Sequence, residues 1–224
     1  MRDRVLTEQG EVRPHVNLFV GAESSRWSGG LAMAVPPGAE ISILPAVSGG
    51  APGAGGAAGV SVHDAGPEDM ATIRDVTLAA YGEYASEIPA FWDAYRQNIL
   101  TTLASPGPAA QIVAELDGTI VGTVLLYPAG ASAYGTSAKL ASPEVRLLAV
   151  VPEARGHGIG LVLMQECIER ARRSGAGSLT LHTTDMMRSA MRLYARMGFV
   201  PAPELDFHPA PRLTVKGFRL QLPR

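Results

Sequence analysis

The apolar positions of the chain form one short, nearly continuous run at 145–151, which ends at Pro152. A run of this length without alternation is typical of a central strand that is covered on both faces of a sheet. After the glycine-rich stretch 155–160, apolar residues recur at helical spacing, at Ile159, Leu163, Cys167 and Ala171. The pattern therefore predicts a strand, a tight turn and a helix that ends near Ser174-Gly175.

Further periodic segments lie on both sides of this unit. Strands are predicted at 60–63, 111–116, 119–127, 179–183 and 215–222, and the Asp-Gly dipeptide at 117–118 predicts a tight hairpin. Helices are predicted from 64–69 onward, over 84–103 with a break at Pro89, and over 188–197. The first of these helices carries its apolar face on Ile73, Val76, Thr77 and Ala80. Residues 128–143, rich in Gly, Ala and Ser, are predicted to form a loop.

Residues 48–59, SGGAPGAGGAAG, have the composition of a flexible tether. This linker divides the chain into a segment at 1–47 and a domain at 60–224. Within the segment, the apolar runs 15–20 and 41–47 flank a Pro-Pro-Gly turn and predict two strands.

The overall composition narrows the classes of partner. The 224 residues are 46% hydrophobic and 18% charged, with a formal net charge of −2. This balance provides no strong field for nucleic acid or anionic lipid, and no apolar run reaches the ~20 residues of a membrane span. Cys167 is the single cysteine and lies on an apolar helix stripe, which predicts a buried structural thiol and no disulfide framework. With no recognisable signal peptide, the sequence predicts a cytoplasmic protein that acts on small molecules or protein.

The turn at 155–160 has the properties of a phosphate site. The first N–H groups of a helix are unpaired, and the positive end of the helix dipole lies behind them. Gly156, Gly158 and Gly160 allow close approach of a ligand, and Arg155 and His157 add charge. The stretch lacks the Gly-Lys-Ser/Thr of a nucleoside-triphosphate loop and the glycine spacing of a dinucleotide fold. A plain strand-to-helix connection is the alternative.

The motif LLAVVPEARGHGIG, followed by LYARMGF at 193–199, resembles the Gcn5-related N-acetyltransferases (the GNAT family), over roughly 60–224. The resemblance implies an α/β (α+β) fold with a mixed, mostly antiparallel sheet flanked by helices and splayed between its fourth and fifth strands. It implies acetyl-CoA as co-substrate, transfer to a primary amine of a small molecule or peptide, and no metal. The oligomeric state stays open between a monomer and a homodimer.

Residue roles follow from the same resemblance. Tyr194 corresponds to the tyrosine that protonates the leaving thiolate, and Glu144 to the carboxylate that accepts the proton of the amine. Backbone N–H groups near Ala149 and Val150 stabilise the oxyanion. The implied cofactor-binding residues are Leu148, Ala149, Val150, Arg155, Gly156, His157, Gly158, Ile159, Gly160, Thr183 and Ser189. The sequence departs from the family at Met187, where many relatives have Asn, and Thr183, Thr184 or Ser189 are the candidates to replace that contact.

Several alternatives remain at this stage. Glu144 is alternatively a surface glutamate at a strand end, with His182 or His208 as the base. Tyr194 is alternatively a packing residue, and the protein a CoA-binding regulatory module without catalysis. Five aromatic residues are predicted to be mostly core, with the first two listed the better candidates for an acceptor pocket: Tyr81, Tyr84, Phe91, Trp92 and Tyr95.

The N-terminal segment carries a second resemblance. The stretches RPHVNLFVG and EISILPAVSGG resemble the C-terminal half of the ubiquitin-like sulfur carriers, which implies a partial β-grasp segment. The first half of that fold does not precede Met1, and Gly50 is followed by Ala51 instead of a chain end. Three interpretations stay open: a remnant, a start codon placed too late, and a carrier released by cleavage after Gly50.

Overall fold

A computed structural model of the chain describes residues 59–132, 139–210 and 213–223, and 16–20, 23–24, 31, 35, 37–38 and 41–45 of the N-terminal segment. The N-terminal strands are β1 (Val16–Val20), β2 (Glu23–Ser24) and β3 (Ile41–Pro45), which form an antiparallel sheet in the order β2-β1-β3. The two predicted strands of this segment are therefore confirmed. Most of residues 1–47, the linker and Gly49-Gly50 lie outside the described residues, so the β-grasp interpretation and the domain division stay predictions.

The larger sheet contains eight strands. They are β4 (Val60–Asp64), β5 (Ala110–Leu116), β6 (Thr119–Tyr127), β7 (Glu144–Val150), β8 (Ser178–Thr183), β9 (Val200–Pro201), β10 (Phe207–Ala210) and β11 (Leu213–Gln221). Their order is β10-β11-β8-β7-β6-β5-β4, and β9 pairs with β11. Every pairing is antiparallel except that of β7 with β8. The mixed, mostly antiparallel sheet is thus confirmed.

Helices cover both faces of this sheet. They are α1 (Met70–Gly82), α2 (Trp92–Ala104), α3 (Ile159–Arg173) and α4 (Arg188–Arg196). One hydrophobic cluster joins α1 and α2 to the sheet, and the other joins α3 and α4 to the opposite face. The buried residues of α1 and α3 include every residue of the two predicted apolar faces. The faces were predictable because a helix must bury its apolar stripe.

Two local expectations have clear outcomes. The Asp-Gly hairpin is confirmed: Asp117 and Gly118 both have positive φ, 51° and 78°, as a tight turn with the strand twist requires. The expected helix over 84–103 is wrong at its start, since α2 begins at Trp92 and residues 83–91 form turns. Pro89 accounts for this difference because it lacks an N–H group and disfavours helical backbone at the preceding residue.

Gly122 in β6 lies directly beneath α3, and its replacement by alanine should destabilise the domain. A Cβ at position 122 would lie 2.7 Å from Ile159 Cγ2 and 3.1 Å from Leu163 Cδ1. Since such overpacking shifts elements apart, we expect Gly122→Ala to lower the free energy of unfolding by about 1–3 kcal/mol in urea denaturation. Gly177→Ala is the matched control, because no atom lies within 4 Å of its Cβ position. Equal urea midpoints for the two variants would contradict the packing of α3 on β6.

Candidate functional site

The centre of the site is a gap between two neighbouring parallel strands. The first two residues of β7 pair with the middle of β8, Glu144 with Thr180 and Val145 with Leu181, and the register contains no further pair. The carboxyl halves of the strands therefore diverge. They are the fourth and fifth strands of the larger sheet, so the predicted splay is confirmed. A crevice at the carboxyl ends of such strands is where ligands enter α/β sheets.

A β-bulge shapes one wall of the gap. Leu147 has a positive φ of 49°, and the register of β6 with β7 shifts in the same region. As a result Val145 packs on the α3/α4 side whereas Leu147 and Ala149 pack on the α1/α2 side. In a regular strand these three residues would share one face. The hydroxyl of Tyr81 donates a hydrogen bond of 3.4 Å to the Leu148 carbonyl, just after the bulge.

The glycine turn presents the open N-terminus of α3. Gly156 and Gly158 have φ of 82° and 76°, and no atom lies within 4 Å of their Cβ positions. The first helical bond runs from Val162 N–H to the Gly158 carbonyl, and no side chain caps the helix. The N–H groups of residues 159–161 therefore face the turn, which fits an anion.

The two basic residues of the turn, Arg155 and His157, both contact other atoms of the protein in this structure. Arg155 Nη1 lies 2.6 Å from Glu83 Oε2, and Arg155 Nη2 lies 3.4 Å from the Ala80 carbonyl. The hydrogen bond from Arg155 holds the pKa of Glu83 below its usual range. His157 Nδ1 lies 3.1 Å from the Arg155 carbonyl. In this structure the turn therefore attracts an anion mainly through backbone N–H groups. The sequence analysis missed Glu83, which lies at the end of α1.

The opposite wall of the gap carries unsatisfied hydroxyl groups. Thr183 Oγ1 and Thr184 Oγ1 are buried, and neither has a hydrogen-bond partner among the described residues. Buried polar groups of this kind are normally paired, so they fit the polar arm of a ligand. Ser189 is exposed and accepts a bond from Arg192. Met187 packs against the α1/α2 cluster. The two threonines are therefore better placed than Ser189 for the expected contact.

Tyr194 lies on α4 and is 5% exposed. Its ring packs against Phe199 with a centroid separation of 5.8 Å. Burial raises the pKa of Tyr194 well above its usual value, and the nearby Cys167, Tyr84 and Tyr95 groups add to this increase. The phenol is therefore protonated at neutral pH and available as a hydrogen-bond donor. Packing and donation are compatible roles for this side chain.

Glu144 is 2% exposed, so the expectation of a surface glutamate is wrong. Its Oε2 lies 3.4 Å from His182 Nδ1, and His182 Nε2 lies 3.0 Å from the Leu205 carbonyl. Burial by itself lowers the pKa of His182, but the hydrogen bond and the charge of Glu144 outweigh it and raise the pKa above its usual value. His208 lies on β10 and is exposed. The structure therefore brings two of the candidate bases, Glu144 and His182, into contact.

Aromatic rings line the α1/α2 side of the same region. Tyr81 contacts Tyr84 and Tyr95 edge-on, with centroid separations of 6.4 and 5.9 Å, and Trp92 contacts Tyr95 at 6.4 Å. Burial and the neighbouring Glu83 raise the pKa of Tyr84 to about 12. Tyr81, one of the two pocket candidates, is buried, whereas Phe91 is exposed and so does not belong to the core.

A second residue that the sequence analysis missed is Arg146. Its guanidinium carbon lies 5.5 Å from the centroid of the Tyr127 ring, within the range of a cation–π contact. Its spacing of two from Glu144 places both side chains on one face of β7 before the bulge. This spacing of two residues was the feature of the sequence that could have identified Arg146 as a neighbour of Glu144.

Cys167 is buried in the core, and burial raises the pKa of its thiol to about 12. The prediction of a structural thiol is confirmed, since the reactive thiolate form is suppressed. Among the described residues, no group of three or more His, Cys, Asp or Glu could hold a metal ion. No helix in the described ranges is long and apolar enough to cross a membrane.

Comparisons with known proteins bear on both parts of the chain. The model of the acetyltransferase (GNAT) family matches residues 72–199. An uncharacterized N-acetyltransferase of Schizosaccharomyces pombe is 31% identical over 124 residues, which cover 52% of this chain and 71% of the relative. The streptothricin acetyltransferase of Streptomyces lavendulae is 41% identical over 71 residues, 32% of this chain and 38% of that protein.

A solved structure shares the fold. It is that of a putative acetyltransferase from Salmonella typhimurium with its cofactor acetyl-CoA, with a TM-score of 0.50, 20% identity and coverage of 74% of this chain and 95% of that chain. Separately, the sulfur carrier protein CysO of Mycobacterium tuberculosis is 49% identical over 41 residues, 18% of this chain and 44% of the carrier. This short match supports the carrier-like character of the N-terminal segment.

The left-handed backbone at Gly158 generates a prediction for the turn. An alanine there would meet no atom, so its cost is conformational, and we expect Gly158→Ala to lower the free energy of unfolding by about 1–2 kcal/mol. Gly158→Asn should lower the free energy of unfolding by less, because Asn adopts the left-handed backbone conformation more readily than Ala does. Denaturation curves of the full chain measure both. An alanine variant as stable as the wild type would show that the turn does not require this conformation.

Proposed function

The chain belongs to the acetyltransferase (GNAT) family, and we propose that it transfers the acetyl group of acetyl-CoA to a primary amine of a small molecule or peptide by direct attack. Acetyl-CoA is the co-substrate of this family, and the chain is an acyltransferase. The observation that carries the finer proposal is the gap between β7 and β8, with the uncapped N-terminus of α3 at its mouth.

The described residues fit acetyl-CoA along this gap. The pyrophosphate would lie at the turn 155–160, where the N–H groups at the start of α3 converge and the glycine positions are open. Leu148, Ala149 and Val150 would border the pantetheine arm on the β7 side. Thr183 and Thr184 would border it on the β8 side, where their buried hydroxyls need partners.

The reaction requires a proton acceptor, an oxyanion site and a donor for the leaving thiolate. We propose that Glu144 takes a proton from the incoming ammonium, and that backbone N–H groups near Ala149 and Val150 stabilise the oxyanion. Tyr194 would donate its phenolic hydrogen bond to the departing thiolate. Because the pKa of Tyr194 is raised above that of a thiol, about 8.5, hydrogen bonding to the thiolate is favoured over early proton transfer.

The acceptor would enter from the α1/α2 side, where Tyr81, Tyr84 and Tyr95 surround the approach to β7. The streptothricin acetyltransferase relative supports small-molecule amines as the first acceptors to test. For residues 1–47 we propose a segment derived from a sulfur carrier, joined by the tether 48–59 to the acetyltransferase domain at 60–224. The similarity to CysO supports this division.

Acetyl-CoA binding to the full chain tests the cofactor assignment. We expect binding by calorimetry, and a loss of about tenfold in Arg155→Ala, because one charge-assisted contact is removed while the backbone N–H groups remain. Glu83→Gln is the matched control: it releases Arg155 from its ion pair and should bind acetyl-CoA at least as tightly as the wild type.

Two outcomes would contradict this assignment. Failure of the wild type to bind acetyl-CoA would refute the cofactor site itself. Equal weakening in Arg155→Ala and Glu83→Gln would mean that Arg155 serves the α1 contact and not the phosphate.

Catalytic roles are tested by thiol release with a panel of primary amines. We expect Tyr194→Phe and Glu144→Gln each to lower kcat by about 10²–10³, the usual size of a general acid or base effect. Their affinity for acetyl-CoA should stay within about twofold, since neither residue is assigned to the pyrophosphate turn. If both variants keep wild-type activity while Arg155→Ala loses binding, the chain is better described as a CoA-binding regulatory module.

A further inference from the structure

His182 has two hydrogen-bond acceptors as its partners. The Leu205 carbonyl oxygen lies 3.0 Å from Nε2, and a carbonyl oxygen accepts hydrogen bonds and cannot donate one. The neutral ring therefore carries its hydrogen on Nε2. The lone pair of Nδ1 then points at Glu144 Oε2, 3.4 Å away. Two lone pairs cannot face each other favourably in a buried site.

A proton must therefore lie between Nδ1 and Oε2 when the pair is at rest. The His182 and Glu144 side chains are 11% and 3% exposed, so water cannot readily separate the carboxylate from the ring. Either the ring is an imidazolium beside a carboxylate, or a carboxylic acid donates to the neutral ring. Both descriptions contain the same number of protons, so the contact requires one proton on the pair whichever atom carries it.

We infer that Glu144 and His182 share one proton and act together as the proton acceptor of the transfer reaction, with His182 as the positioning residue of Glu144. The shared proton is argued from the contacts alone, and the inference rests on the proposed function only in taking the ammonium of the acceptor substrate as the group that gives up its proton. In the resting state the pair has no net charge. It must first release its proton to solvent, and then it can take one proton from the acceptor ammonium.

The step balances in atoms and charge. The deprotonated pair, with one negative charge, removes a proton from the ammonium and becomes neutral, and the free amine uses its lone pair to form the C–N bond. Collapse of the tetrahedral intermediate breaks the C–S bond, and the thiolate accepts the hydrogen bond of Tyr194. The nitrogen that attacked still carries one proton more than an amide nitrogen does. This proton is transferred to the thiolate, so the products are an amide and a free thiol.

The surroundings of His182 fix the pair in place. Phe207 packs edge-on against the imidazole, with a centroid separation of 5.3 Å. On β11 the residue opposite His182 is Gly217, whose N–H is bonded to Asp206 Oδ1 at 2.8 Å. On β8 the Thr180 hydroxyl donates to the Pro143 carbonyl. On β7 the charge of Arg146 opposes protonation of the ring.

These contacts leave Glu144 as the group that favours the protonated ring most strongly. The raised pKa of His182 agrees with this arrangement, because burial and Arg146 both act in the opposite direction. The protonated pair therefore persists above the ordinary titration of histidine. Because catalysis needs the deprotonated pair, activity should fall as the pH is lowered, and the midpoint of this fall should lie above 6.5, the unperturbed pKa of histidine.

The first test does not depend on any activity. We expect NMR titration of the histidine rings in the full chain to give His182 a pKa above 6.5, and Glu144→Gln to lower it below 6.5, since burial remains while the carboxylate charge is lost. His63, on the edge strand β4, is the internal control and should titrate identically in both proteins. An unchanged titration of His182 in Glu144→Gln would overturn the shared proton.

The second test follows the pH dependence of kcat/KM for an accepted amine. His182→Gln keeps an N–H for the Leu205 carbonyl but cannot titrate, so the acid limb should move to lower pH by about one unit or more, with about tenfold lower kcat/KM at the optimum. A merely structural role would reduce kcat/KM without moving the limb, and that result would overturn the inference. Acetyl-CoA binding is measured separately, because a wild-type protein that does not bind acetyl-CoA would refute the proposed function and not the shared proton.

Discussion

The whole site depends on where two neighbouring strands stop pairing. β7 and β8 are bonded at Glu144–Thr180 and Val145–Leu181, and they diverge beyond these pairs. The paired end holds Glu144 and His182 at a fixed separation in a buried setting. The open end separates the bulged part of β7 from Thr183 and makes room beside the N-terminus of α3. One change in strand direction thus produces both the buried Glu144–His182 contact and the open gap in which we propose that the co-substrate binds.

The parts of this arrangement that depend on near neighbours in the chain were predictable from the sequence. The turn at 117–118 was identified because its backbone requires residues that tolerate positive φ. The buried face of α3, including Cys167, was identified because its spacing follows the helical repeat. The open glycine turn at 155–160 was predicted on both grounds, and its binding of an anion, which the family resemblance implies, stays a prediction.

What could not be predicted depends on contacts between distant segments. Arg155 and Glu83 are 72 positions apart, and nothing in the local pattern of either residue indicates the other. Glu144 is buried where β7 pairs with β8 and where His182 approaches its carboxylate, and a strand-end glutamate without that context resembles a surface residue. The bulge at Leu147 has no glycine to mark it, so the change of face along β7 could not be read from its apolar run.

Helix α1 links the two halves of the site. Its end supplies Glu83, which pairs with Arg155 of the turn at 155–160, and two residues earlier Tyr81 donates to the Leu148 carbonyl on the bulged strand. The ion pair is more than one-third exposed on both sides, so solvent screening limits its contribution to stability to at most about 1 kcal/mol. Its importance is therefore positional. Tyr81 and Tyr84 lie on either side of Glu83 in the sequence, so the same end of α1 contributes both to the turn at 155–160 and to the aromatic cluster beside it.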